Sequence, residues 1–245
     1  MRLIRVYTDS PLARGARVSV HGTAAEHITR VLRLKAGDPV TLFNGDGQDY
    51  PSRINALQRG SVGVEVQDVS AARAESPLLL TLVQGIARSE RMDLVVQKAT
   101  ELGVTAIQPV VTARSVVKLD AATRAKKLAH WRGIAIAACE QSGRARLPAI
   151  AEPLTLAQWL QQTVPVGMRR LLLAPDAQKS LVEAAADARA AELLVGPEGG
   201  LEETERDAAL AVGYLPCRLG PRVLRSETAA VAALTVLQSV AGDLT

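Results

Sequence analysis

Aromatic residues are scarce in this chain, at 2% of 245 residues. Burial must therefore rest on Leu, Val, Ile and Ala, and a single-strand nucleic-acid binder built on stacked aromatic platforms is disfavoured. Cysteine is as sparse: Cys139 and Cys217 lie far apart, so no disulfide framework is expected. With His21, His27 and His130 they form no metal-ligand spacing, which argues against a structural or catalytic zinc. The chain has no GxSxG elbow, no HExxH and no GxxxxGK[ST] loop, so hydrolase and P-loop readings lose most of their weight. Long apolar runs are missing too; those present are strand-sized and interrupted, which excludes a membrane-spanning helix. No apolar signal segment opens the sequence, and a cytoplasmic, reduced protein is the expectation.

What is present fits a globular chain, with 48% hydrophobic and 22% charged residues. The length suits one large domain, or a small domain joined to one of about 170 residues. The net charge of +4 is unevenly spread. Residues 1–35 set Arg2, Arg5, Arg14, Arg17, Arg30, Arg33 and Lys35 against Asp9 and Glu26, a local +5. Residues 114–146 set Arg114, Lys118, Arg124, Lys126, Lys127, Arg132, Arg144 and Arg146 against Asp120 and Glu140, a local +6. Arginine greatly outnumbers lysine, and its planar fork suits phosphates and bases. The alternatives are a solvated Arg-rich surface and an anionic partner.

The first 70 residues read as short strands joined by turns, with Asn44-Gly45 and Asp46-Gly47 as hairpin chemistry. Thr23 and Glu26 have the spacing of a capping box opening a short helix through Arg33. A small β-barrel with one inserted helix is expected over residues 1–70. Residues 71–77 read as a linker. From 78 to 245 apolar strands near 78–86, 104–112, 169–176, 191–200 and 214–220 alternate with helices, including a basic one over about 121–142 and a last one over about 227–241. That alternation implies an α/β domain with a parallel sheet covered on both faces.

Two segments stand out. LLVGPEGGL, residues 193–201, runs from a buried strand into a Pro/Gly turn and then an acidic helix. Open α/β sheets place ligands at such strand ends, and glycine lets a ligand approach backbone closely. Glu198 and the acidic first turn favour a neutral or cationic ligand over a polyphosphate. RLGPRVLRSETA, residues 218–229, leads into the last helix. Ser226 suits an N-cap and Glu227 the first turn. Arg222 and Arg225 precede a helix N-terminus, where cations are disfavoured, and so point to an acidic partner or substrate.

These two segments, with ERMDLVVQKATELGV at 90–104, CEQSGR at 139–144 and HITRVLR at 27–33 followed by Gly37-Asp38, make the chain resemble the ribosomal RNA small subunit methyltransferase E family over almost its whole length. The resemblance implies a PUA-like, RNA-binding β-barrel followed by a SPOUT-type α/β domain with a trefoil-knotted parallel sheet, working as a homodimer. It implies S-adenosylmethionine as cofactor and N3 of a uridine in 16S rRNA of the small ribosomal subunit as the methyl acceptor, with no metal. The implied cofactor loops are Leu173, Ala174 and Pro175, then Gly196, Pro197, Glu198, Gly199 and Gly200, then Leu219, Gly220, Val223, Leu224 and Arg225, with Thr228 following. Arg225 is the first candidate to stabilise charge developing on the uridine, and Glu198 a weaker candidate base. For RNA the candidates are Arg2, Arg5, His27, Arg30, Arg33, Arg114 and Arg144. A non-catalytic RNA-binding ribosome-assembly factor is the alternative, and a nucleotide-dependent α/β enzyme a third.

Overall fold

The structure, a computed structural model, describes residues 4–72, 74–115 and 120–244, less the side chains of Ser89 and Ala121. It divides into two compact units: Met1–Glu75 with Ile136–Leu147, and Ser76–Ala135 with Pro148–Thr245. The division does not follow the chain in a single cut, because residues 136–147 pack with the N-terminal strands.

In the first unit, β1 (Arg5–Tyr7), β2 (Arg17–His21), β3 (Pro39–Phe43), β4 (Gln48–Gln58) and β5 (Ser61–Val66) form a sheet in the order β1-β3-β4-β5-β2, with β6 (Ser70–Ala71) paired to β4. All pairs are antiparallel except β1 with β3. Burial alternates along β5, where Val62, Val64 and Val66 are covered, the pattern of a sheet with one wet face. The β3–β4 hairpin turns through residues 44–47 as expected. Gly45 and Gly47 take φ of 96° and 90°, and the Asn44 and Asp46 side chains accept from the N–H groups of Asp46 and Gln48.

The helix after β2 departs from expectation. It is α1 (Gly22–Glu26), continued by a π-helical turn over His27–Val31, and its N-cap is His21 with no side-chain cap. Thr23 lies inside the first turn, so the Thr23/Glu26 capping box does not form. Arg33, where the helix was expected to end, has φ of 53°, a conformation costly for a residue with a Cβ.

Residues 136–147 are tied in by charge. Arg144, at 2% exposure, donates from Nε and Nη2 to Glu75 Oε2, and Glu75 Oε1 accepts from the N–H groups of Ala145 and Arg146. Arg5 is buried beside them, pairing with Asp49 at 2.7 Å and donating to the Arg144 carbonyl. Arg5 and Arg144 were expected to face RNA; both are instead buried in ion pairs within the unit, because a buried guanidinium is tolerable only when its charge is paired. Glu75, read as part of a polar linker, is the acceptor that gathers them.

The second unit holds β7 (Leu79–Gly85), α2 (Ser89–Glu101), β8 (Ala106–Val111) and α3 (Ala121–Ser142), whose last turns belong to the first unit. Then come β9 (Ala149–Ile150), β10 (Leu154–Thr155), α4 (Leu156–Leu160), β11 (Arg169–Leu173), α5 (Leu181–Ala185), β12 (Ala190–Val195), α6 (Glu203–Ala211), β13 (Leu215–Cys217) and α7 (Ser226–Ala241). The sheet is parallel, in the order β10-β8-β7-β12-β11-β13, with β9 beside β8. Strand β12 is buried along nearly its whole length, as expected where both faces are covered. The five-residue α4 lies where no helix was placed from sequence, whereas α5 follows β11 as the alternation requires; Thr155 and Ser180 open them with complete capping boxes.

One buried polar group braces this sheet. Arg170 Nε lies 3.2 Å from Glu192 Oε1 and its guanidinium stacks 4.7 Å from the Tyr214 ring. Trp159 Nε1 and the Tyr214 hydroxyl both donate to Glu192. Burial and the adjacent Glu192 carboxylate push the Tyr214 phenol well above its ordinary value.

These anchors generate the first expectation. Arg144→Ala should cost about 3 kcal/mol, because it leaves Glu75 with a partly buried, underpaired charge. A lowered urea midpoint in the full chain, beside an unchanged midpoint for Arg30→Ala on the exposed π-turn, is the expected result.

Candidate active site

Three loops at the carboxyl ends of β11, β12 and β13 meet around a cavity of about 610 Å³, a size typical of small-molecule sites. The first leaves β11 through Leu173–Pro175, where the Ala174 N–H donates to the Cys217 carbonyl of β13. The second, Gly196–Gly200, closes as a turn with the Gly200 N–H on the Pro197 carbonyl at 2.9 Å. The third is the stretch from Leu219 to Arg225 that enters α7.

Glycine is required at several of these points for distinct reasons. A Cβ on Gly85, at the end of β7, would stand 2.5 Å from the Pro197 nitrogen, so only glycine lets the second loop lie against that strand. A Cβ on Gly196 would meet Gly200 backbone at 3.2 Å. Gly200 and Gly220 have φ of 71° and 145°, outside what a side chain accepts comfortably.

Side chains lock the loops together. Ser226 is buried; its hydroxyl donates to the Gly196 carbonyl at 2.6 Å and accepts from Gln84 Nε2 at 3.0 Å. It is not the helix cap expected: Arg225 occupies the N-cap position without a side-chain bond, and Ser226, one residue inside α7, faces the cavity loop instead. Arg114 Nη1 donates to the Gly199 carbonyl at 2.9 Å, so this residue, expected at the RNA, supports the glycine turn. Glu205 Oε1 accepts the Ala113 N–H, and its other oxygen accepts the Glu202 N–H at the start of α6.

Of the cofactor-loop residues named from sequence, all line the cavity except Thr228. Sequence reasoning missed Arg91, Asp176, Arg206 and Ser226, which line it as well. Arg91 sits on α2, about a hundred residues from the loops in sequence, and only its place in the ERMD stretch hinted at more than a solvated face. Asp176 and Arg206 pair at 2.7 Å.

Glu198 is already engaged. Its Oε1 accepts from the Arg88 N–H at 3.1 Å and lies 3.2 Å from Arg91 Nη1. Desolvation works against ionisation, but the backbone donors and the cations outweigh it and hold the carboxyl below its ordinary value. It is a carboxylate at neutral pH and a weak proton acceptor. Its contribution to stability is therefore complete above the ordinary carboxylate range and is lost as pH falls through its lowered value. Arg222 and Arg225 line the cavity from the third loop; both are exposed and make no ion pair among the described residues. Both thiols are buried, which pushes Cys139 and Cys217 up to about 12, so neither is a nucleophile.

On the first unit, His27, Arg30 and Arg33 are exposed together on the π-turn and the residues after it, with Arg30 3.5 Å from Glu26. Arg2 lies outside the described residues. Among the described residues no group of His, Cys, Asp and Glu could hold a metal ion, and no helix is long and apolar enough to cross a membrane.

Residues 74–238 match an RNA methyltransferase domain, and residues 22–67 match an RNA methyltransferase PUA domain. The α/β class with a parallel sheet is the expected one, and a PUA domain precedes it in the chain. The ribosomal RNA small subunit methyltransferase E of Mycobacterium bovis is 35% identical over 93% of this chain and 88% of its own; that of Buchnera aphidicola from Schizaphis graminum is 32% identical over 99% and 98%. The Neisseria gonorrhoeae enzyme of that name, crystallised with S-adenosyl methionine, superposes with a TM-score of 0.92 at 35% identity, covering all of both chains. The chain belongs to the ribosomal RNA small subunit methyltransferase E family.

The latch supplies the second expectation. Ser226→Ala removes a donor from the Gly196 carbonyl and an acceptor from Gln84, a cost of about 1–3 kcal/mol for buried groups left unpaired. Thermal denaturation of the variant should show the loss, with Ser226→Thr retaining part of it.

Proposed function

We propose that this chain transfers a methyl group from S-adenosylmethionine to N3 of a uridine in 16S rRNA of the small ribosomal subunit. The observation that carries this is the cavity itself: three glycine-containing loops that offer backbone to a ligand, with Arg222 and Arg225 of the third loop lining it and making no ion pair among the described residues. A non-catalytic RNA-binding factor has no use for that construction. Gly200 and Gly220 support the fit, since a Cβ at either would meet nothing within 4 Å, which leaves the backbone there open to a bent cofactor; a Cβ on Gly199 would press on Arg114 at 3.1 Å.

The bound cofactor supplies an electrophilic methyl on a sulfonium. The protein aligns the nucleophile and excludes water. Uridine N3 must lose its proton for the transfer, and we assign to Arg225 the stabilisation of the negative charge that spreads to the neighbouring carbonyl oxygens. Glu198, already accepting two hydrogen bonds and held ionised, serves the cofactor side rather than as base. His27, Arg30 and Arg33 hold rRNA phosphates. We also propose that the working unit is a homodimer in the cytoplasm. Support for the dimer comes from α7: Ala230, Ala233, Leu234 and Leu237 are buried within the chain, while Val231, Ala232, Val236 and Val240 remain partly or fully exposed between Thr228, Thr235 and Ser239. That outer face is the one assigned to the second copy.

Incubation with methyl-labelled cofactor and small subunits, followed by nucleoside mass spectrometry, should yield 3-methyluridine; label in any other nucleoside, or none, rejects the assignment. Arg225→Ala should lower the single-turnover rate by about 100-fold or more while cofactor affinity changes little. Gly199→Val should abolish cofactor binding with the circular dichroism spectrum unchanged, because its side chain pushes Arg114 off the turn it braces. It is a cleaner test than Gly220, whose replacement strains the backbone. Reversal of Arg30 and Arg33 to Glu should weaken RNA binding and flatten its logarithmic salt dependence by about 2, as expected when two phosphate contacts are lost.

A further inference from the structure

Residues of α2, the second loop and the start of α7 form a three-residue charge cluster of which Arg91 and Glu198 line the cavity, and the methyl transfer as described gives Arg91 and Glu227 no part. Arg91 Nη1 is 3.2 Å from Glu198 Oε1, and Arg91 Nε is 3.8 Å from Glu227 Oε1. One guanidinium thus serves two carboxylates. Glu227 is buried, and its Oε2 has no hydrogen-bond partner among the described residues. Two negative charges face one positive charge, and the cluster keeps a net charge of −1. The nearby Arg88 donates to Glu198 through its backbone N–H, and its exposed side chain is screened by water. The exposed Arg222 and Arg225 belong to the third loop and to the acceptor.

This excess has a chemical consequence that rests on the functional reading above. Methyl transfer forms the N3–C bond and breaks the C–S bond; the sulfonium takes up the bonding pair and becomes a neutral thioether, and the uridine N3 proton goes to solvent. Cofactor and product differ by little besides one methyl group and one positive charge. We propose that Arg91 and Glu227 position Glu198 so that the cluster's uncompensated negative charge makes this site prefer the sulfonium cofactor to the thioether product. Arg91 orients Glu198 without cancelling it, because Glu227 shares the guanidinium. Once a ligand covers the wall and displaces water, screening falls and the charge difference between cofactor and product is felt more strongly. Arg91 and Glu227 are positioning residues here, and Glu198 the group that meets the ligand.

Calorimetric titration of the full-length protein with S-adenosylmethionine and, separately, with S-adenosylhomocysteine tests this. Glu198→Gln keeps the shape of the side chain and removes its charge; it should weaken cofactor binding about tenfold and product binding less than threefold, so the preference collapses. Arg91→Met leaves both carboxylates without their cation and should raise the preference, and Arg91→Lys should return it toward that of the wild type, which lost packing alone would not produce. Glu227→Gln should reduce it, by returning the whole guanidinium to Glu198. Equal weakening of both ligands in Glu198→Gln, or an unchanged or lowered preference in Arg91→Met, overturns the inference. Failure of the wild-type protein to bind either ligand would overturn the cofactor assignment itself, a result distinguishable from both.

Discussion

The site depends on a close approach of backbone to backbone. The Gly196–Pro197 turn lies so near the end of β7 that a methyl group on Gly85 would occupy the space of the Pro197 nitrogen. Ser226, bonded to both Gln84 and Gly196, fixes that approach from the α7 side. The second loop's side of the cavity follows from this contact. It sets the second loop against β7, brings the third loop and α7 over it, and presents the glycine backbone to whatever binds. Such positioning comes from packed, hydrogen-bonded elements rather than from free loops, and it keeps the reacting groups within the tolerance that alignment demands.

Charge is handled differently in the two units. In the first, Glu75, Asp49, Arg5 and Arg144 neutralise one another in the interior, so those two arginines serve structure while others, Arg30 and Arg33 among them, stay on the surface. In the second, Glu192 and Arg170 neutralise one another beneath the sheet, while the cavity wall keeps an imbalance: a negative excess around Arg91 and two uncommitted arginines on the third loop. A cationic methyl donor and an anionic acceptor call for that division. The sequence count of +4 conceals it, because net charge says nothing of which cations are spent on structure.

The alternation of strands and helices, the hairpin at residues 44–47 and the glycine loops at 196–200 and 219–225 were legible in the chain, because each rests on local chemistry: periodicity, tolerance of positive φ, and a strand ending in Pro or Gly. The resemblance of the motifs supplied the family. Three assignments that failed share one cause. Thr23, Ser226 and Arg144 each have residue types suited to an ordinary local or surface role, a cap or a phosphate contact. Their partners lie far along the chain or in a different backbone geometry.

By itself, then, the sequence determined the class of fold, the cavity loops and the chemistry they suit, since these depend on neighbours within a few residues. Tertiary structure alone decided which arginines are structural and which are free, that Ser226 is a latch, that Arg114 braces the glycine turn, and that Arg91 is shared between Glu198 and Glu227. Those roles depend on contacts over as many as about 140 positions of chain, and burial and pairing, which fix the function of a charged group, are properties of the assembled interior rather than of residue type.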